Sequence, residues 1–275
     1  MVGIRVVVSV AAALLLFTAT AAAVGAGDVE GTLRALAEDA SRSPAHRARN
    51  PYRHPAETLD FFGIRADMTV VEISPGGGWY TEILAPFLRQ RGQLYAAGYD
   101  PESESEYYRK GAARFRAKLA ADPSRYDRVR VTVFDPPDKL EAAPPGSADM
   151  LLTFRNFHNW MGEGSADRAL AGFARVLKPG GILGVVQHRA EPSAAQDPKA
   201  SKGYVREDHL IELAERAGFD LVARSEINAN PRDTRDYPDG VWTLPPSFTL
   251  GDVDRDRYAA IGESDRMTLK FIKRD

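Results

Sequence analysis

TVVEISPGGGWYT, Thr69 to Thr81, is an apolar run that stops at a proline and three consecutive glycines. Thr69, Val70, Val71 and Ile73 are strand formers, and their near-continuous apolarity suits a parallel strand covered on both faces. Glu72 interrupts the run. A carboxylate is costly to bury without hydrogen bonds, so Glu72 is expected at the strand end, facing a ligand or backbone amides. Gly76, Gly77 and Gly78 have no Cβ, so the backbone there accepts positive φ and lets a ligand approach the main chain. A helix is expected to follow over Trp79 to Arg91, its N-terminal amides beginning near Trp79.

Several nucleotide folds place glycines after a first strand, and spacing separates them. The dinucleotide fingerprint G-x-G-x-x-G, counted from Gly76, puts Thr81 where the third glycine belongs. A phosphate-binding P-loop requires a lysine at a spacing this stretch lacks. What remains is Glu72, Ser74, Gly76 and Gly78 at alternate positions. This pattern resembles the first motif of the class I S-adenosylmethionine-dependent methyltransferases, E/D-x-G-x-G-x-G, with Ser74 in place of the first glycine. The resemblance implies a Rossmann-like α/β fold: a seven-stranded, mostly parallel sheet with helices on both faces and an antiparallel last strand. It also implies S-adenosylmethionine as cofactor, with its methionine moiety over the loop and the acidic residue near its amino group.

Further along, Gln93 to Gly98 (QLYAAG) reads as a second strand. Class I enzymes end this strand on an acid that binds the ribose, and here that position falls on Gly98; Asp100, two residues on, either reaches the ribose or opens the turn at Pro101. Ser103 with Glu106 fits a capping box for a helix running to Ala121. Arg128 to Phe134 alternates as a third strand and ends on Asp135. The resemblance places a residue at Asp135 beside the adenine, and turn chemistry before Pro136 and Pro137 gives it a local reason as well.

A fourth strand, Asp149 to Phe154, leads into RNFHNWM. Ligands of open α/β sheets lie beyond the carboxyl ends of the strands, near the reversal of strand order. Arg155, Asn156, His158, Asn159 and Trp160 are expected to cluster there, Arg155 and Asn156 on the cofactor, His158 and Asn159 as catalytic candidates. His158 would act as base or as substrate-positioning residue, although each polar group singly could cap a helix or satisfy a loop. The segment is not the N/D-P-P-Y motif of nucleic-acid amino methylation. A helix over Arg168 to Leu177 runs into Leu177, Lys178, Pro179, Gly180 and Gly181, which match the L-K-P-G-G turn common in the same family. The fifth strand then delivers His188 and Arg189 to the same sheet edge. Phe219 to Ser225 and Arg266 to Lys273 close the sheet. Between them, Glu226 to Asp265 is a long aperiodic stretch of the kind that forms functional lids, with Tyr237 and Trp242 as possible substrate contacts.

The 275 residues and 44% apolar content support one substantial α/β core, and a formal charge of −2 gives no nucleic-acid bias. Without cysteine, thiol catalysis, disulfides and cysteine zinc sites are excluded, and the five histidines show no i,i+4 pair or H-E-x-x-H. Arg5, the apolar run Val6 to Phe17 and the small residues through Ala26 have a signal-peptide layout, with an uncleaved anchor as the other reading. The expected division is a signal peptide at 1–26, a helical lead-in at 27–66 and a methyltransferase-like domain at 67–275. In the lead-in, Asn50, Tyr52, Arg53 and His54 either fold over the glycine loop or form a surface connector.

These features point to a periplasmic or secreted methyltransferase acting on a small molecule or envelope component. Nucleic acid is not expected as a partner, nor is stable membrane insertion after cleavage, and the oligomeric state is open. S-Adenosylmethionine is made in the cytoplasm, so export demands a local supply, a different ligand or a lost activity. The rival reading is a non-catalytic binding or accessory protein of the envelope on the same fold. A nicotinamide-dependent reductase is disfavoured by Thr81.

Overall fold

The structure, a computed structural model, describes residues 28–275. The expected signal segment lies outside the described residues. The strands are β1 (Thr69–Ile73), β2 (Gln93–Gly98), β3 (Arg130–Val133), β4 (Ala148–Phe154), β5 (Leu177–His188), β6 (Phe219–Ser225) and β7 (Arg266–Lys273). They form one sheet in the order β3-β2-β1-β4-β5-β7-β6. β1 pairs in parallel with both β2 and β4, and β7 is antiparallel to both β5 and β6. This is the Rossmann-like methyltransferase arrangement that the resemblance implied.

β1 shows why the sheet is covered on both faces. Side chains alternate along a strand, and here both sets are apolar: Val71 and Ile73 enter one core, Val70 the other. The first core packs against helices Ala166–Val176 and Glu207–Arg216, the second against Val29–Glu38, Pro55–Phe62 and Thr81–Leu88. Val70 and Val71 are completely buried, each contributing roughly 1.5–3 kcal/mol of hydrophobic stabilisation.

Several element boundaries differ from expectation. The helix after the glycines begins at Thr81, not Trp79, because residues 75–80 are occupied by turns closed by Gly78 N–H on Pro75 O at 2.9 Å. The Ser103 capping box does not form. Asp100 accepts from the backbone of Glu102 and Ser103, holding that stretch as a turn, and the helix starts at Glu106. The L-K-P-G-G segment is already part of β5, whose Leu177 pairs with Ala148 before a bulge; the preceding helix ends at Val176. Residues 226–265 contain a short 3-10 turn, Gly240–Thr243, and a helix, Arg255–Ile261. Among the described residues no helix is long and apolar enough to cross a membrane.

Candidate active site

Strand order reverses between β1 and β4, and a cavity of about 450 Å³ opens beyond their carboxyl ends. Asn156 marks the reversal: its Nδ2 donates to Ile73 O at 3.1 Å and to Thr153 Oγ1 at 3.2 Å, tying the end of β1 to the end of β4. Ser74, Pro75, Gly76 and Gly77 form one wall. A Cβ placed on Gly76 or Gly77 meets no atom within 4 Å, so the wall is bare main chain facing open space. Gly78 serves packing instead, since a Cβ there would lie 3.1 Å from Phe115. Ser74 holds φ at +49°, in the left-handed region that glycine occupies without cost, while its N–H donates to Ala97 O at 2.8 Å.

Glu72 stands behind this wall. It is 2% exposed, accepts from Thr81 Oγ1 at 2.6 Å, and does not line the cavity. Desolvation pushes its carboxyl up to about 7 even though the Thr81 hydrogen bond favours ionisation. Its reach into the cavity is therefore replaced by a bond to the helix that follows the loop. Asp100 is likewise engaged elsewhere, by Lys139 Nζ and by Glu102 N–H at 3.0 Å. Asp135 is half-buried, exchanging backbone hydrogen bonds with Lys139, and is also off the cavity wall. At the β2 end the wall is instead Tyr99, next to Gly98, with Tyr107 beside it at 6.2 Å between rings. Ser74, Gly76, Arg155, Asn156, His158 and Asn159 do line the cavity; Gly78 does not.

The lead-in closes over the glycine loop as a fixed wall. Trp79 is clasped between the guanidinium groups of Arg42 and Arg53, each 4.8 Å from its ring, and its Nε1 donates to His46 O at 3.0 Å. Glu82, one residue into the next helix, takes Arg42 Nε at 3.0 Å, His46 Nδ1 at 3.0 Å and Lys118 Nζ. Against the desolvation of burial, the hydrogen bonds of His46 and Lys118 hold its carboxyl down to about 2. Of the residues expected to fold over the loop, Arg53 reaches the cavity, joined by His46 and Arg49. Asn50 is buried under the latch on Ala37 O, Tyr52 is 40% exposed, and His54 faces a different cleft.

The far wall is built from β4, β5 and the segment before β7. Arg155 takes φ of +63° immediately after β4, its N–H on Val186 O at 2.6 Å. Glu263 gathers Arg49 (2.6 Å), Arg53 (3.1 Å) and Arg266 (3.1 Å) on one carboxylate. Desolvation is countered by the charges of Arg53 and Arg266, which hold Glu263 down to about 2. His158 lies 5.5 Å from His188 and 5.6 Å from Trp242, ring to ring. Tyr237 is not on the cavity; it packs edge-on against Tyr258. Sequence reasoning missed His46, Arg49 and Glu263. The only signal was the basic run 42–54, and the carboxylates that pair with it are distant in sequence.

The wall that would take the methionyl part of S-adenosylmethionine fits it: bare backbone at Gly76 and Gly77, open space in front, and Asn156 beside it. The ribose end has Tyr99 where the resemblance asks for an acid. Among the described residues on the cavity wall, Glu263 is the sole carboxylate, on the side away from β2.

Comparison with known proteins agrees with this geometry. Residues 71–185 match the methyltransferase domain family. An S-adenosyl-L-methionine-dependent Diels-Alderase of Talaromyces variabilis is 42% identical over 62 residues, which are 22% of this chain and 20% of that relative. A SAM-dependent methyltransferase of Aquifex aeolicus superposes with a TM-score of 0.55 at 16% identity, over 89% of this chain and 98% of the other. The [4+2]-cyclase SpnF gives a TM-score of 0.54 at 18% identity, over 90% and 92%. The matched span 71–185, the strand order and the glycine wall agree on a methyltransferase domain with the Rossmann-like fold of the class I S-adenosylmethionine-dependent enzymes.

Proposed function

We propose that this protein is an exported S-adenosylmethionine-dependent methyltransferase whose acceptor is a small molecule or an envelope component. The observation that carries the reading is the bare main chain of Gly76 and Gly77 facing a cavity of about 450 Å³ at the reversal of strand order. When bound, S-adenosylmethionine supplies a methyl group already activated by its sulfonium, so the protein's contribution is alignment and exclusion of water. Trp79 and the latched lead-in close one side, Trp242 the other, and His158 with Asn159 faces the space where an acceptor would stand. Export rests on Arg5 and the apolar run Val6 to Phe17.

A second reading, a binding or accessory protein that no longer turns over the cofactor, is favoured by one feature. The acid expected at the end of β2 is absent, and Asp100 is held on Lys139. Calorimetric titration with S-adenosylmethionine and S-adenosylhomocysteine separates the two. One-site binding of both supports the methyltransferase, whereas a folded chain that binds neither supports the second reading. Cell fractionation tests export, and a full-length chain confined to the cytoplasm overturns it.

A further inference from the structure

Arg155 is the least satisfied charge in the molecule's cavity. Among the described residues its guanidinium has no hydrogen-bond acceptor and no carboxylate within ion-pair distance. The neighbouring arginines, Arg49, Arg53 and Arg266, already share the one carboxylate of Glu263. Four guanidinium groups therefore stand against a single negative charge. Arg53 is held well below its ordinary value by desolvation and then by the charge of Arg155. Arg155 is brought down to about 10 by desolvation and then by Arg266. Two histidines on the same wall add no compensation, being acceptors or neutral donors there. A cluster with this excess suits an oxyanion, because the half-buried Arg155 guanidinium has no protein partner and an arginine fork matches carboxylate or phosphate oxygens.

We propose that the methyl acceptor is an anion whose carboxylate or phosphate docks on Arg155, with Arg49 and Arg53 alongside. The inference rests on the methyltransferase reading above, and it moves Arg155 from the cofactor to the acceptor. Two observations favour the acceptor over the cofactor's own carboxylate. Arg155 is held on the β5 side, by Val186 O, and it neighbours Arg266 of β7, while the glycine wall lies on the β1 side. The cofactor is a net cation, so it adds positive charge to this wall instead of neutralising it.

The test titrates inorganic phosphate and, separately, benzoate into the full chain saturated with S-adenosylhomocysteine, at constant ionic strength with chloride as control. One probe is expected to bind at a single site, and its identity distinguishes phosphate from carboxylate. Arg155→Gln should weaken that probe about tenfold or more, with Arg155→Lys recovering part of the loss. Affinity for S-adenosylhomocysteine should change by less than about threefold, since under 1 kcal/mol is at stake there. If neither probe binds the loaded chain, the proposal is overturned. So does an Arg155→Gln variant that loses S-adenosylhomocysteine as strongly as it loses the probe. If S-adenosylhomocysteine does not bind at all, the functional reading has failed, and the same titrations on the unloaded chain decide the anion site by themselves. Should Arg155→Gln not fold by thermal denaturation, Arg49→Gln takes its place, with a weaker loss expected in the same direction.

Discussion

Gln187 Nε2 lies 3.3 Å from His158 Nδ1, and the rest of that amide is committed: its oxygen accepts from Phe157 N–H at 3.2 Å and its nitrogen also donates to Gly203 O at 3.0 Å. The amide cannot turn over without losing both, so Nδ1 of His158 is the acceptor and the ring's proton sits on Nε2. Desolvation brings His158 down to about 4, against the raising effect of the Gln187 bond. His158 is thereby a neutral donor and a weak base, which suits the positioning role proposed for it.

The first prediction follows from that pairing. A proton-detected titration of His158 should give a midpoint near 4, and Gln187→Glu should raise it past the ordinary value of about 6.5, since a carboxylate favours imidazolium. The unfolded chain binds the proton more tightly than the folded one, so this site's contribution to stability is complete above pH ~6.5 and falls as pH drops toward 4. A His158 midpoint near 6.5 in the parent would remove the positioning role assigned to its Nε2.

The latch at Glu82 gives a second. Arg42 is fully buried and Glu82 nearly so, and Glu82→Gln leaves the guanidinium with Ala37 O, Asn50 and Trp79 O but without its counter-charge. Losing one partner of a buried pair costs about 3–5 kcal/mol, and the remaining acceptors put the expectation at the lower end. Because the carboxyl is lowered to about 2 in the fold, its contribution is present above the ordinary glutamate range and lost as pH falls from about 4.5 toward 2. Urea denaturation at pH 7 and pH 3 should show the parent losing more stability on acidification than Glu82→Gln. Equal losses would show that other carboxylates, Glu263 first among them, dominate acid sensitivity.

Ser74 supports a third. Its φ of +49° costs a residue with a Cβ about 1–2 kcal/mol that glycine escapes, while glycine gives back about 0.4–1 kcal/mol through the freer unfolded chain. Ser74→Gly should therefore stabilise the protein by roughly 0.5 kcal/mol in urea denaturation, and Ser74→Val, branched at Cβ, should destabilise it by more than about 1 kcal/mol. If Ser74→Val is neutral, the left-handed turn is not held in solution.

What was legible in the sequence was local or periodic. β1 is recognisable because both of its faces are apolar, and the glycine loop because three residues without Cβ follow a proline. Arg155, Asn156, His158 and Asn159 were brought to the cavity by a single rule, that strand ends near the reversal of order meet ligands. The failures are non-local. Nothing local marks Arg42 as interior, because its partner Glu82 is 40 residues away, and Arg49 finds Glu263 at a separation of 214. Glu72 was expected to face a ligand or backbone amides because a carboxylate at a strand end needs partners, and its partner turned out to be Thr81. Of the two roles open to Asp100, the structure shows the turn at Pro101, with Lys139 as its ion-pair partner. Residue type announced a need for hydrogen bonds without saying who would meet it.

Gly77 offers the sharpest check on the cofactor wall because its role in the fold and its role at the cavity separate. Its φ lies outside the left-handed region and a Cβ there touches nothing within 4 Å, so a side chain can be added without strain or clash. Replacing glycine at such a position commonly stabilises a protein by about 0.4–1 kcal/mol, through the unfolded chain. Gly77→Val should accordingly keep the parent's urea midpoint or exceed it. The same side chain projects into the space in front of the loop, where a nucleoside's methionyl end would lie against the backbone, so affinity for S-adenosylhomocysteine should fall about tenfold or more as those contacts are pushed apart. Calorimetry and denaturation on the one variant read the two effects independently. A stable Gly77→Val protein that still binds S-adenosylhomocysteine with the parent's affinity would mean that the ligand rests elsewhere in the cavity, and that the glycines shape the turn without touching it.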